Sequence, residues 1–108
     1  NDKKTAFAGS LYSLAVLSGW SLIYRHFQRE FPGGQTVIHQ AQMIYRQPVK
    51  EDFEAFCPDL SAEEWQRHQE ALKLKGRAKI DLKALIRNAA EEIQAEFQGS
   101  YVISANGF

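Results

Sequence analysis

Residues 1–20, NDKKTAFAGSLYSLAVLSGW, decide the fold of this chain. No charged residue occurs between Thr5 and Tyr24, and leucine, alanine, valine and aromatic residues recur on all sides of a helical projection. A helix that is apolar nearly all round is buried on most of its sides in a globular protein. The stretch therefore predicts one long helix around which the rest of the chain is arranged.

The end of this helix is marked by charge and by turn residues. Positive charge returns at Arg25, His26 and Arg29, where it complements the negative end of a helix dipole, and the sequence FPGG at residues 31–34 ends the helix. The uncharged run is also about as long as a membrane span. Its serines and glycines reduce the apolar surface, so a buried helix is favoured over a membrane span.

The remainder of the chain predicts strands and one short helix. Strict alternation along residues 35–49 places Val37, His39, Ala41, Met43 and Tyr45 on one face, and both faces carry apolar residues. Further strands are predicted at residues 51–57, 77–88 and 92–104, the last two as an antiparallel hairpin. A capping box formed by Ser61 and Glu64 begins the short helix, and Gly76 ends it. The predicted fold class is α+β, an antiparallel sheet on one long helix.

Composition narrows the range of functions. With 108 residues the chain is long enough for one domain, and 13 basic against 13 acidic residues argue against a general nucleic-acid binder or a polybasic membrane binder. The single cysteine, Cys57, excludes an intramolecular disulfide, and the three histidines lack metal-ligand spacing. No signal peptide is visible. We therefore expect a cytoplasmic domain without a metal or cofactor, whose small core is supplemented by self-association.

The combination of residues 1–20 with antiparallel strands resembles the hotdog fold, the fold of acyl-coenzyme A and acyl-carrier-protein thioesterases and dehydratases. More narrowly, N-D-x-x-T-A-F-A-G-S-L-Y-S-L is similar to a thioesterase-like domain that occurs alone or behind an N-acetyltransferase domain, and whose members are described as malonyl-carrier-protein decarboxylases. The resemblance covers essentially the whole chain. Because the fold normally has one or two strands before the asparagine, it implies that residues 1–108 are a single hotdog domain without its N-terminal strands.

The resemblance also implies a site at the start of the helix. Hotdog thioesterases carry an asparagine followed, six residues later, by His-Gly-Gly at the beginning of the central helix. Here Phe7, Ala8 and Gly9 occupy the His-Gly-Gly positions relative to Asn1, and Thr5 matches as well. The Asn1 amide and the backbone N–H groups of Ala8 and Gly9 would then face the thioester oxygen as an oxyanion hole.

One part of the hotdog thioesterase machinery is missing from the sequence. Such enzymes use a carboxylate nine residues after the histidine, on the partner subunit's helix, to activate water. Counting from Phe7 gives Val16, and no carboxylate occurs between Asp2 and Glu30. Hydrolysis would therefore require a base from elsewhere. The weak candidates are Asp52, Glu54 and His39.

Decarboxylation requires no such base, because negative charge develops on the thioester oxygen when carbon dioxide leaves. The function implied is therefore decarboxylation of malonyl-acyl-carrier-protein to acetyl-acyl-carrier-protein for fatty-acid initiation. Two alternatives stay open: a thioesterase with another base, and a non-catalytic acyl-binding or dimerisation module of an acyltransferase.

Further residues are expected to contact the substrate or the partner molecules. Phe7, Ser10 and Val16 are predicted to line the substrate site. A nucleophilic role for Ser10 is disfavoured because A-G-S-L is no G-x-S-x-G elbow. Lys73, Lys75, Arg77 and Lys79 form a basic cluster around Gly76. It either is solvated surface or receives a coenzyme A phosphate or an acidic carrier protein, with Lys75 and Arg77 as the predicted contacts and Arg25 and Arg29 as a second option. The resemblance implies at least a homodimer, in which the strand at residues 35–49 pairs with its copy.

Overall fold

The computed structural model describes residues 2–49 and 52–108, with residues 2–8 described as helical backbone only. An antiparallel four-stranded sheet, in the order β1-β4-β3-β2, packs one face against two helices. This is the α+β arrangement that the sequence predicts. The elements are α1 (Asp2–Phe27), β1 (Gln35–Tyr45), β2 (Phe53–Phe56), α2 (Ala62–Lys75), β3 (Arg77–Asn88) and β4 (Ile93–Ser104).

The long helix α1 buries one stripe on the sheet. Leu11, Ala15 and Ile23 are almost completely buried, whereas Leu17 and Tyr24 on the other side are 55% and 48% exposed. The prediction that most sides of the helix are buried is therefore wrong for a single chain, since the sheet covers only one of its faces. Of the helices that the structure describes, none is long and apolar enough to cross a membrane.

Helix α1 and strand β4 approach each other closely at Gly19. A Cβ atom at this position would collide with the Tyr101 hydroxyl, which instead donates a hydrogen bond to the Val16 carbonyl oxygen at 2.8 Å. The side chain of Tyr101 is 1% exposed. A glycine at position 19 thus allows a large aromatic residue of β4 to fit directly beneath the helix.

The hairpin of β3 and β4 forms the centre of the sheet and follows the predicted alternation. On β3, Ala78, Ile80 and Ile86 face the helices and are buried, while the intervening charged residues are exposed. The two strands pair regularly from Arg77 opposite Ser104 to Ile86 opposite Ala95, after which the register shifts. The alternation of apolar and charged residues is sufficient to predict this strand pair, because one face of the hairpin is buried and the other is in solvent.

Strand β1 departs from the predicted alternation. Its register against β4 shifts between Ile38 and Gln40, which makes His39 a bulged residue. A bulge reverses the parity of the side chains, so Val37 lies on the face opposite to Ala41 and the prediction that they share a face is wrong. The residues facing the same side as α1 are Thr36, Ile38, Ala41, Met43 and Tyr45.

The ends of β1 and β2 also differ from the predicted bounds. Strand β1 ends at Tyr45 rather than near Val49, and the predicted start of the next strand at Glu51 lies outside the described residues. Helix α2 has both hydrogen bonds of the predicted capping box, and Gly76 ends it with a left-handed φ of 77°. These two caps confirm the predicted boundaries of α2.

Candidate active site

The main apolar groove lies between α1 and β1 and has a volume of about 650 Å³. It exists because β1 is an edge strand that α1 leaves largely uncovered, so Ile38 on the inner face is still 36% exposed. Val16, predicted as a substrate-binding residue, lies in its wall. The lining residues are Tyr12, Ser13, Val16, Leu17, Trp20, Thr36, Ile38 and Tyr101.

The groove offers hydroxyl groups on an otherwise apolar surface. Tyr12, Ser13, Thr36 and Tyr101 carry hydroxyls, and none of the described residues lining the groove is a carboxylate, a histidine or a lysine. Burial raises the pKa of Tyr101 far above its ordinary value, so this hydroxyl stays protonated. Its one hydrogen is donated to the Val16 carbonyl oxygen, which leaves Tyr12, Ser13 and Thr36 to offer hydroxyls to a ligand. The groove therefore suits an acyl group with a polar carbonyl but holds no obvious proton acceptor.

A second, smaller cavity of about 260 Å³ continues the same seam between α1 and β1. Thr36 lines both cavities, Trp20 lines the first and Tyr24 lines the second. The rings of Trp20 and Tyr24 are stacked, with centroids 5.0 Å apart and planes at 13°. The other residues around the second cavity are Ile23, Phe27, Gln28, Phe31, Pro32, Gly34 and Ile103.

The predicted oxyanion-hole residues lie at the limit of what the structure describes. Asn1 is outside the described residues, and the side chains of Thr5, Phe7 and Ala8 are outside them as well. Among the described residues, none from another element comes within 4 Å of where a side chain at Gly9 would begin, and Ser10 is exposed on α1.

The placement of Ala8 and Gly9 at a helix N-terminus needs correction. Helix α1 begins at Asp2, so Ala8 and Gly9 lie in its second turn. The backbone N–H groups without an intrahelical partner belong to the first four residues of a helix, which here precede Phe7. The physical reason is that residues 2–6 are compatible with a helix, which consequently starts earlier than the comparison with His-Gly-Gly implies.

The candidate bases are not brought to the groove. Glu54 accepts a hydrogen bond from the Arg87 Nε at 2.5 Å, across the β2–β3 pair on the far side of the sheet. His39 is exposed at the bulge of the edge strand, and Asp52 is exposed before β2. The groove lining includes none of the three.

The basic cluster is also separate from the groove. Lys75 is exposed at the end of α2, and Arg77 is exposed on the face of the sheet opposite to α1, with its guanidinium 5.0 Å from the centre of the Phe108 ring. Lys73 of the same cluster pairs with Glu30 at 3.2 Å. These cations form a surface outside the groove.

A polar cluster that the sequence analysis missed connects the end of α1 to the segment before α2. Asp59 Oδ1 lies 3.3 Å from His26 Nε2 and accepts a hydrogen bond from Trp65 Nε1 at 2.6 Å. Partial desolvation raises the pKa of Asp59, but the bonds from Trp65 and from the Leu60 N–H, with His26 nearby, lower it below its ordinary value overall. The His26 ring stacks on Trp65 at 3.8 Å. No spacing pattern links residues 26 and 59, so only the fold reveals the cluster.

Comparisons with known proteins agree with this architecture. A protein of unknown function from Chlorobaculum tepidum TLS is 34% identical, with a TM-score of 0.85, over 96% of this chain and 69% of that one. A "putative thioesterase" from Shewanella oneidensis is 27% identical, with a TM-score of 0.62, over 88% and 62%. A "probable thioesterase" from Pseudomonas aeruginosa is 24% identical, with a TM-score of 0.78, over 90% and 63%, which bears on the fold alone.

The last two structures are longer than this chain, which spans less than two thirds of each. The fold is that of hotdog thioesterase-like proteins, as the sequence analysis predicts. The family model described as "Putative thioesterase (yiiD_Cterm)" matches residues 1–105. The chain therefore belongs to this thioesterase-like family, whose hotdog domains are expected to act on acyl thioesters.

Proposed function

We propose that this domain decarboxylates malonyl-acyl-carrier-protein to acetyl-acyl-carrier-protein. The observation that supports the proposal is the position of Val16. It lies in the wall of an apolar groove where a hotdog thioesterase would carry its carboxylate, and the described residues around it include no replacement base. An apolar surface at this point disfavours water activation and favours loss of a carboxylate charge.

The chemistry requires only charge stabilisation and a proton from solvent. The bond between the α-carbon and the carboxylate breaks, carbon dioxide leaves, and the electron pair forms an enolate with its charge on the thioester oxygen. Protonation of the α-carbon by water then gives the acetyl thioester. Each hydrogen-bond donor aimed at the developing oxyanion contributes about 10²–10³ in rate. In this proposal the Asn1 amide is such a donor, and the hydroxyls in the groove orient the thioester.

The site would be completed by a second copy of the chain. The exposed apolar side of α1 and the uncovered edge of β1 adjoin each other, a combination that a monomer rarely leaves in water. In the proposed homodimer, residues 1–10 of one subunit face Val16 of the other. In this arrangement Thr5, Phe7 and Ser10 would lie beside the substrate, whereas Ala8 and Gly9, whose N–H groups bond within α1, would line it without acting as oxyanion donors.

Incubation of the intact protein with malonyl-carrier-protein, followed by mass analysis of the carrier, tests the proposal. We expect a loss of one carbon dioxide with the thioester retained, and we expect Asn1→Ala to slow the reaction by about 10²–10³. Val16→Asp, which restores a carboxylate, is expected to shift the products toward free thiol carrier. An Asn1→Ala variant with undiminished decarboxylation would remove Asn1 from the mechanism.

Thioester hydrolysis is the second candidate, because the family description and two structural neighbours name a thioesterase. In the same mass measurement, free thiol carrier from the wild-type protein would support hydrolysis. Tight binding of acyl thioester without turnover would instead support a non-catalytic module.

The partners of the site are also proposed. A carrier protein or coenzyme A would reach it with a phosphopantetheine arm, and exposed Lys75 and Arg77 supply a positive surface for the acidic carrier or a phosphate. No metal or cofactor is required by the proposed chemistry, and a cytoplasmic location remains a prediction. Reversal of both charges is expected to weaken carrier binding, measured by titration.

A further inference from the structure

The two cavities along α1 are successive sections of one seam. Val16, Trp20 and Tyr24 are one helical turn apart, and across the seam Ile38 lies beside the first cavity while Thr36 borders both. Of the described residues, Thr36 lines both cavities, and the stacked rings of Trp20 and Tyr24 line one cavity each. These three residues therefore mark the boundary between the two cavities.

We propose that the Trp20–Tyr24 stack closes the far end of the substrate groove and restricts the enzyme to short acyl groups. The second cavity is then the space that a longer chain would need. This inference rests on the proposed function, because it assigns the groove to the acyl part of a thioester.

The orientation of the acyl group follows from the distribution of polar groups. Tyr12 and Ser13 carry two hydroxyls at the Val16 end of the groove, whereas at the other end Trp20 is accompanied by the single hydroxyl of Thr36. The thioester carbonyl needs hydrogen-bond donors and the end of the acyl chain needs none. The carbonyl therefore belongs near Val16, with the chain pointing toward Trp20.

The stack is the part of the boundary that a substitution can open. Ile23, Phe27 and Ile103, behind the second cavity, are all at most 6% exposed and belong to the core. Trp20 and Tyr24 are 39% and 48% exposed. Removing one of these two rings joins the cavities, while removing a core residue would disturb the packing of the fold.

The second cavity suits an alkyl chain. Apart from Gln28 and Thr36, the side chains around it are apolar or aromatic. A charged or strongly polar group would lose its hydration there without gaining partners. The walls therefore match additional methylene groups of an acyl chain.

Equilibrium binding of acylated pantetheines tests the inference. The pantetheine arm is common to coenzyme A and carrier proteins, and an amide in place of the thioester prevents turnover. Acetyl, octanoyl and palmitoyl forms are titrated against the intact wild-type protein, Tyr24→Ala and Trp20→Ala. We expect wild type to bind the acetyl form best. In each alanine variant the ratio of octanoyl to acetyl affinity should rise by at least about tenfold, which is the size of effect that methylene groups have when an apolar pocket accommodates them.

Two matched controls separate closure by the Trp20–Tyr24 stack, here called the gate, from general effects of a substitution on α1. Tyr24→Phe keeps the stacked ring and is expected to retain the wild-type preference. Leu14→Ala removes an exposed apolar side chain of α1 that lines neither cavity, and is expected to leave the affinity ratio unchanged.

The outcomes distinguish the two proposals. If wild type binds no acylated pantetheine, the proposed function fails. If wild type binds them and the alanine variants keep its chain-length preference, the gate is overturned while the proposed function stands. Loss of the dimer in Tyr24→Ala, seen by light scattering together with equal loss of affinity for all three ligands, would likewise overturn the gate, because the stack would then be subunit packing.

Discussion

Gly19 is the residue at which the absence of a side chain matters most. Residues of α1 and β4 approach here so closely that a methyl group would overlap the ring and hydroxyl of Tyr101. The hydroxyl is also held by the Val16 carbonyl, so the ring has little freedom to move away. The sequence shows a glycine in a helix but does not show what lies opposite, since the partner is 82 residues away in the chain.

We expect Gly19→Ala to destabilise the fold by about 1–3 kcal/mol, because overpacking at this contact outweighs the better helix propensity of alanine. The measurement is the free energy of unfolding in urea. Gly9→Ala is the matched control: it is also in α1, but open space surrounds its Cβ, so alanine should stabilise by up to about 1 kcal/mol. Equal effects at both positions would show that propensity alone determines the response at Gly19.

At the scale of elements, the features that depend on neighbouring residues could be predicted. The capping box of Ser61 and Glu64 and the left-handed Gly76 involve residues within four positions of one another, and both occur as predicted. The β3–β4 hairpin joins strands that are consecutive in the chain, although its outermost pair, Arg77 and Ser104, is 27 residues apart. The bulge at His39 was not predictable, because register against β4 determines it and both faces of β1 carry apolar residues.

The candidate site is non-local for the same reason. Val16 was expected from spacing within a single helix, but Thr36, Ile38 and Tyr101 contribute to the groove only after β1 and β4 have paired. An apolar helix indicates that something must cover it. It does not indicate which strand residues will line the gap.

Helix α2 offers a test of capping at the element scale. Ser61→Ala removes the hydroxyl that accepts from the Glu64 N–H at 3.2 Å, and we expect a loss of about 0.5–2 kcal/mol in the free energy of unfolding. Ser61→Asp, another good N-cap, should retain most of the stability. If alanine and aspartate behave alike, the side-chain cap does not contribute.

For the whole molecule, acid stability should depend on Asp59. Its folded-state pKa is lowered, so its contribution to stability is complete above its ordinary pKa of about 3.9 and is lost as the pH falls through the folded value. The linkage arises because protonation would disrupt the hydrogen bonds from Trp65 and the Leu60 N–H.

Thermal unfolding between neutral pH and about pH 2 measures this contribution. Asp59→Asn is expected to be less stable than wild type at neutral pH, with the difference shrinking as the pH approaches the folded-state pKa. Asp52→Asn, the same carboxylate-to-amide change at an exposed residue before β2, serves as the control for the loss of one negative charge. A difference between Asp59→Asn and wild type that does not vary with pH would contradict the linkage.

The bulge at His39 has a consequence for what the open edge of β1 can pair with. A regular, exposed edge strand accepts any extended chain and is a starting point for aggregation. A slip by one position already turns the wrong face inward on any alternating strand, whereas a slip by two positions preserves the faces of a regular strand. On β1 the parity of the side chains changes at His39, so a copy of this strand that slips by two positions would have its own bulge out of step, and the side chains between the two bulges would face the wrong side. The irregularity thus discriminates between strands: it favours one register and disfavours growth into an extended fibre.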